Sequence, residues 1–278
     1  MKKTYRLVAM FAALALVLAA CGDDTDAGDG TDDTGDAGTT VAVEDLGLVA
    51  EGTLTVCTDV PYPPMEFEDP DAESGYNGFD IELIGAIAED LGLGLAVATP
   101  GFDAITSGLA MESGDCDISA ASITINEERE QGVDFSAPYF SADQSLLVKA
   151  DSGITGLDGL SGLGLAVQSG TTGAAYAEEN AEEFGFEVIS FEDAAGPYLA
   201  LDSGDVAGVM TDIVGNQGVA DEDDSVTVVE TFTTDEQYGF AVKEEGSEAL
   251  LEAVNASLAG FQEDGTYDQI HANWFPEA

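Results

Sequence analysis

GFDIELIGAIAEDLG, residues 78–92, opens on a glycine and then sets Phe79, Leu83 and Ile87 beside Ile84 and Leu91 on one face of a predicted helix. Upstream, GTLTVC at 52–57 is a short β-prone run, and downstream 93–98 is another. A strand, an amphipathic helix and a second strand form a crossover unit, which places its strands in parallel. A helical segment over 104–111, a Ser113-Gly-Asp turn and a strand over 117–121 extend the order to β-α-β-α-β.

The second half repeats the pattern. A strand at 163–167, a helix at 172–184, a strand at 186–190, a helix at 193–201, a second Ser-Gly-Asp turn at Ser203 and a strand at 206–210 follow in the same order. Ser122 lies nine residues beyond Ser113 and Asp212 nine beyond Ser203, so equivalent strand ends in the two halves each offer a polar group. Parallel sheets bind ligands at the carboxyl ends of their strands, and two such edges facing one another make a cleft. The tail has no counterpart in the repeat: strands at 225–229 and 238–242, then a helix at 247–261. It is expected to cross back and complete the first half. The fold class is therefore α/β with two lobes, each a mostly parallel sheet flanked by helices. Lobe 1 is expected to comprise 46–141 plus 236–278 and lobe 2 to comprise 142–235, joined by a hinge of two linkers.

Residues 1–20 combine a basic start with an apolar run, too short and wrongly flanked to span a bilayer, and read as a removable signal peptide. From residue 22 to about 40 the chain is almost wholly Gly, Asp, Thr and Ala, which cannot offset the entropy of ordering. Residues 21–45 are thus expected to be a disordered acidic linker. No stretch of it has the carboxylate spacing of a twelve-residue calcium loop. The remaining ~235 residues are enough for two lobes with cores of their own.

The chain carries 56 Asp and Glu against six Lys and Arg, a formal net charge of −50, or −53 without Lys2, Lys3 and Arg6. That balance excludes nucleic acid as a partner. It also points to an acidic surface suited to high salt, where screening acts over about 3 Å at 1 M. No His and Cys cluster has metal-ligand spacing, and no cofactor is expected. Cys57 and Cys116 are left after Cys21 as either a disulfide or two buried thiols.

With the leader removed, Arg129 is the only arginine and Lys149 and Lys243 the only lysines. A planar, permanently charged fork kept in so acidic a chain needs a reason, and gripping a carboxylate through two parallel hydrogen bonds is the task it suits best. A surface ion pair with Glu127 or Glu128 is the plain alternative, although such pairs contribute only about 0–1 kcal/mol.

The 78–92 stretch closely resembles the signature of the family 3 solute-binding proteins that feed amino acids to ABC importers. TDVPYPPMEFED from Thr58, SITINEER from Ser122, VDFSAPYF from Val133, VQSGTTGAAYA from Val167 and EDGTYDQIHANWF near the end support the resemblance, which covers roughly 50–276. It implies a type II periplasmic-binding fold, and it identifies Leu18-Ala-Ala-Cys21 as similar to a lipobox, with lipid on Cys21 anchoring the mature protein outside the cytoplasm. It implies that Arg129, Thr124 and the backbone N–H groups of Thr171 and Thr172, at a helix start, take a ligand α-carboxylate. Asp212, Ser122 and Thr124 would take the α-amino group. Tyr62, Phe102, Asp59 and Gln168 would meet the side chain, a set suited to polar or cationic amino acids such as glutamine, arginine, lysine or ornithine. Asp212, Thr171 and Thr172 have a purely structural alternative as helix caps. The implied partners are an amino acid and an ABC permease, the protein itself a monomer whose only contact with the membrane is its lipid.

A sensory amino-acid receptor without transport is the alternative to delivery, and two other classes compete with a binding protein. A dehydratase on the same fold needs a placed acid or base. The one histidine, His271, is expected on a C-terminal helix away from the cleft, which leaves only Asp59 and Asp212 as candidates and no catalytic residue assigned. An adhesive surface protein fits the anchor but leaves Arg129 without a role.

Overall fold

A computed structural model of the chain describes residues 46–276, so the signal peptide expected at 1–20, the lipidation expected at Cys21 and the linker expected at 21–45 lie outside the described residues. Two five-stranded mixed sheets organise those residues. In the first, the spatial order is Gly94–Ala98, Thr53–Cys57, Ile118–Ser119, Ala241–Lys243 and Val133–Phe135. In the second it is Glu187–Phe191, Gly164–Gln168, Gly208–Asp212, Phe140–Lys149 and Val226–Tyr238. The two orders match strand for strand. Each sheet has three parallel strands from one β-α-β-α-β unit, completed by two antiparallel strands.

Helix Phe79–Asp90 forms because its apolar face has a sheet to cover: Phe79, Leu83, Ile84 and Ile87 are fully buried with Leu54, Val56 and Ile118. Each such side chain contributes about 1.5–3 kcal/mol by leaving water. Gly78 starts this helix at φ 125, and a Cβ there would lie 2.1 Å from the Met65 carbonyl oxygen, so only glycine fits. Leu146, Val148, Leu165, Val167 and Met210 form the equivalent core of the second sheet.

Three expectations need correction. The helix expected over 104–111 is two short helices, Phe102–Thr106 and Leu109–Glu112. Gly108 breaks it at φ 80, with its α-carbon pressed so close to the Gly132 carbonyl that a Cβ would lie 2.5 Å away. The strands expected at 225–229 and 238–242 are one strand, Val226–Tyr238, followed by Ala241–Lys243. The polar stretch Thr231–Gln237 stays in strand because its side chains alternate between half-buried and exposed along Phe140–Lys149, with register shifts at Val228/Glu230 and Phe232/Glu236. Phe140–Lys149 itself was not anticipated. Elsewhere helix Thr172–Phe184 lies where expected, and strands and helices of the second sheet begin one or two residues later than their apolar runs.

The chain leaves the first sheet after Phe135 and enters the second at Phe140, and it returns between Tyr238 and Ala241. Tyr139 N–H donates to the Tyr238 carbonyl (3.0 Å) and Ser136 N–H to that of Phe240 (2.8 Å), which zips the two crossings together. His271 packs against Phe79 and Phe140, with ring centroids at 5.8 and 6.0 Å.

Of the two readings of Cys57 and Cys116, the structure has the disulfide: it joins the end of Thr53–Cys57 to the residue two before the neighbouring parallel strand Ile118–Ser119. A link across 59 positions removes loop entropy from the unfolded chain. Cys116→Ser is therefore expected to lower the unfolding free energy by about 2–4 kcal/mol. Urea melts with and without reductant check this, and a midpoint insensitive to reductant would show that the bridge contributes nothing.

Candidate functional site

The carboxyl ends of equivalent strands in the two sheets meet across one pocket. Asp59 follows Thr53–Cys57 and Gln168 ends Gly164–Gln168, and Gln168 Nε2 donates to Asp59 Oδ2 at 2.7 Å across the cleft. Ser122 follows Ile118–Ser119 and Asp212 ends Gly208–Asp212. Asp59, Tyr62, Phe102, Ser122, Thr124, Arg129, Gln168, Thr171, Thr172 and Asp212 all line this pocket, so the structure brings together every site residue expected within 46–276. The free space in this partly open pocket is about 30 Å³, room for one or two waters.

Arg129 begins a single 3-10 turn, Arg129–Gln131, set by the Asn126 side chain, which accepts the N–H groups of Glu128 (3.1 Å) and Arg129 (2.9 Å). The guanidinium is not on the surface: the residue is 8% exposed, lies over the Phe102 ring at 5.3 Å and, among the described residues, has no carboxylate within 4.0 Å. The surface ion-pair alternative is thereby excluded. Nη1 donates to the Thr124 carbonyl at 2.8 Å and Nη2 to the Gly170 carbonyl at 3.1 Å, one from each lobe. Three of its five N–H groups are left over. Burial pulls its pKa below the ordinary arginine value, and the charges of Asp212 and Glu236 pull it back.

Thr171 is the cap of helix Thr172–Phe184, its hydroxyl accepting the Ala174 N–H at 3.0 Å, so its capping role is realised while the residue also lines the pocket. Asp212 sits at the corresponding place before helix Ile213–Glu222 but makes no side-chain cap. Its carboxylate instead accepts from Gln144 Nε2 and Tyr238 OH. Burial first, and the charge of Glu236 second, push Asp212 up to about 7, against those two hydrogen bonds and Arg129. Burial also raises Asp59 to about 6, resisted by the Gln168 amide.

Ser122 has φ 50, a left-handed conformation that costs a serine about 1–3 kcal/mol. It is held by two buried acids: its N–H donates to Asp80 Oδ2 (2.8 Å) and its hydroxyl to Glu66 Oε2 (3.2 Å). Burial raises both acids.

Bacterial extracellular solute-binding proteins, family 3, is the family whose model matches residues 54–277. The chain belongs to this family. Like other family 3 solute-binding proteins, it has relatives of known ligand. It is 35% identical to the glutamine-binding protein GlnH of an ABC transporter of Bacillus subtilis, over 100% of this chain and 98% of that one. An ancestral arginine-binding protein bound to glutamine has a TM-score of 0.74 at 38% identity, covering 82% of this chain and 100% of that one. An ancestral amino acid-binding protein, a precursor of cyclohexadienyl dehydratase, has a TM-score of 0.71 at 36% identity, covering 81% and 96%. The two-lobed type II fold expected from the sequence is thus the one observed.

Glu66, Gln144 and Glu236 were missed. Glu66 lines the pocket at 1% exposure, and Gln144, fully buried, donates to Thr172 Oγ1 (3.3 Å), Asp212 and Glu236 Oε1 (3.0 Å). A glutamine before an apolar SLLV run was the available signal for the second, and a glutamate between Met65 and Phe67 for the first. Among the described residues no group of three or more His, Cys, Asp or Glu could hold a metal ion, and no helix is long and apolar enough to cross a membrane.

Four acids around the pocket have folded pKa values above their unfolded values near 4, so their protonated forms favour the folded state. Their contribution to stability is complete below about pH 4 and is lost as the pH rises through about 6 for Asp59 and 7 for Asp212. In 1 M salt, which screens the surface acids, the ligand-free protein is expected to unfold at lower urea at pH 8 than at pH 5. Equal midpoints, or a higher one at pH 8, would refute this.

Proposed function

We propose that this protein captures a polar or cationic L-amino acid between its lobes and delivers it to an ABC importer, held outside the membrane by lipid on Cys21. The observation that carries the reading is one guanidinium and one carboxylate, Arg129 and Asp212, both buried, supplied by opposite lobes and lining a single pocket. A fixed cation and a fixed anion select a zwitterion. Arg129, with the N–H groups of Thr171 and Thr172 and the Thr124 hydroxyl, takes the α-carboxylate. Asp212, with Ser122 and Thr124, takes the α-ammonium. Tyr62, Phe102, Asp59 and Gln168 take the side chain.

The glutamine named for GlnH and for the ancestral complex supports this class of ligand. The pocket's spare acids, Asp59 and Glu66, favour side chains that donate hydrogen bonds or carry positive charge over acidic ones. With room for only one or two waters, the pocket admits an amino acid when 46–141 with 236–278 swings away from 142–235, the crossings serving as the hinge. The dehydratase reading has its own support, a buried acid near neutrality in the pocket and a structural neighbour that is a dehydratase precursor. Binding without turnover of the bound compound separates the two.

Calorimetry against the twenty amino acids and ornithine tests the proposal. Arg129→Ala and Asp212→Ala are each expected to weaken binding by roughly 30-fold to several thousandfold, the cost of leaving one desolvated partner unpaired. Near-normal affinity in Arg129→Ala would falsify the assignment. The acidic surface is proposed to reflect a saline habitat, so the wild type is expected to be more stable in molar than in dilute salt, as thermal melts can check.

A further inference from the structure

Glu236 stands on the returning strand Val226–Tyr238, just after Asp235, whose φ of 53 marks an irregularity in the pairing with Phe140–Lys149. The kink turns the Glu236 carboxylate toward the cleft, although Glu236 does not itself line the pocket. Its Oε2 accepts the Thr124 hydroxyl of the first lobe at 2.8 Å, and its Oε1 accepts Gln144 Nε2 of the second at 3.0 Å and the Thr234 hydroxyl at 2.8 Å. Gln144 uses the same amide group on Asp212 and Thr172. Gly173 makes room for this amide, because a Cβ there would lie 2.8 Å from Gln144 Oε1. One carboxylate, two residues before the returning crossing, therefore connects a first-lobe threonine with a buried second-lobe glutamine and, through that glutamine, with Asp212.

We propose that Glu236 is a positioning residue for amino-acid capture, tying Thr124 to Gln144 when the lobes meet and so fixing the orientation and charge of Asp212. The inference rests on the binding function proposed above. A closed hinge puts the Glu236 charge near Asp212, which opposes ionisation of Asp212 until a ligand ammonium offsets the repulsion. The other charged or titratable groups acting on Asp212 are Arg129, Tyr238, Tyr62, Tyr198 and Glu66. Arg129 also hydrogen-bonds both lobes, but only Glu236 among these groups bonds Gln144, the amide that in turn holds Asp212. Binding is thereby coupled to proton release from Asp212, and affinity rises with pH up to about the Asp212 value of 7.

The test is calorimetry of the full-length protein from pH 5 to 9 with whichever amino acid the wild type binds. Glu236→Ala removes three accepted hydrogen bonds and is expected to weaken binding roughly 10- to 100-fold at pH 8. Glu236→Gln keeps the size and most of the hydrogen bonding while removing the charge. It is expected to shift the pH midpoint of affinity to lower pH by about one unit. A purely structural residue would leave that midpoint in place, so an unmoved midpoint in Glu236→Gln overturns the inference even if Glu236→Ala is unstable. A wild type that binds none of the amino acids overturns the underlying function and this inference with it.

Discussion

Burying an arginine in a protein this acidic is the constraint on which the rest of the site depends. An isolated guanidinium taken out of water is costly unless it is hydrogen-bonded and balanced by charge. Here the hydrogen bonds come from the Thr124 and Gly170 carbonyls, one on each side of the cleft, and among the described residues no carboxylate reaches within 4.0 Å. The neutralising charges, Asp212 and Glu236, act from further off. Arg129 thus pulls the lobes together through neutral partners while keeping donors unspent. That arrangement differs from a structural ion pair, which would saturate the fork with carboxylate.

The same logic explains why so many acids near the pocket are raised. Burial is the main cause at Asp59, Glu66, Asp80 and Asp212, and neighbouring acids add to it at Asp59, Glu66 and Asp212. Their hydrogen-bond partners show how the excess is managed. Gln168 serves Asp59, Ser122 and Tyr139 serve Asp80, and Gln144 and Tyr238 serve Asp212. Neutral donors hold each carboxyl in place and favour its ionised form, against the effect of burial.

Much of this was legible in the sequence, for identifiable reasons. The helix at 79–90 has a clean apolar face, and the two Ser-Gly-Asp turns mark equivalent positions, so the twofold plan and the strand ends bearing Ser122 and Asp212 could be located. Arg129 stood out by composition alone. What escaped was structure set by long-range pairing. Thr231–Gln237 has too little apolar character to announce a strand, and only its antiparallel partner Phe140–Lys149 keeps it extended. The break at Gly108 depends on the Gly132 backbone, 24 positions away. Glu66, Gln144 and Glu236 escaped for a related reason: each lies on or beside a strand whose pairing the sequence did not disclose, so only the flanking apolar residues, at Glu66 and Gln144, marked a side chain as facing inward.

The contact between Asp59 and Gln168 shows how closure and selectivity can share one interaction. These residues occupy equivalent strand ends in the two lobes, and their hydrogen bond spans the cleft. An amide on Asp59 is chemically what a glutamine side chain would offer, and a guanidinium or ammonium would offer the same donors with added charge. A ligand of either kind can therefore exchange with the Gln168 amide without leaving Asp59 unpaired, whereas a carboxylate side chain would place like charges together. Under the binding function proposed above, discrimination against acidic amino acids then follows from the cost of placing a second charge of the same sign beside Asp59.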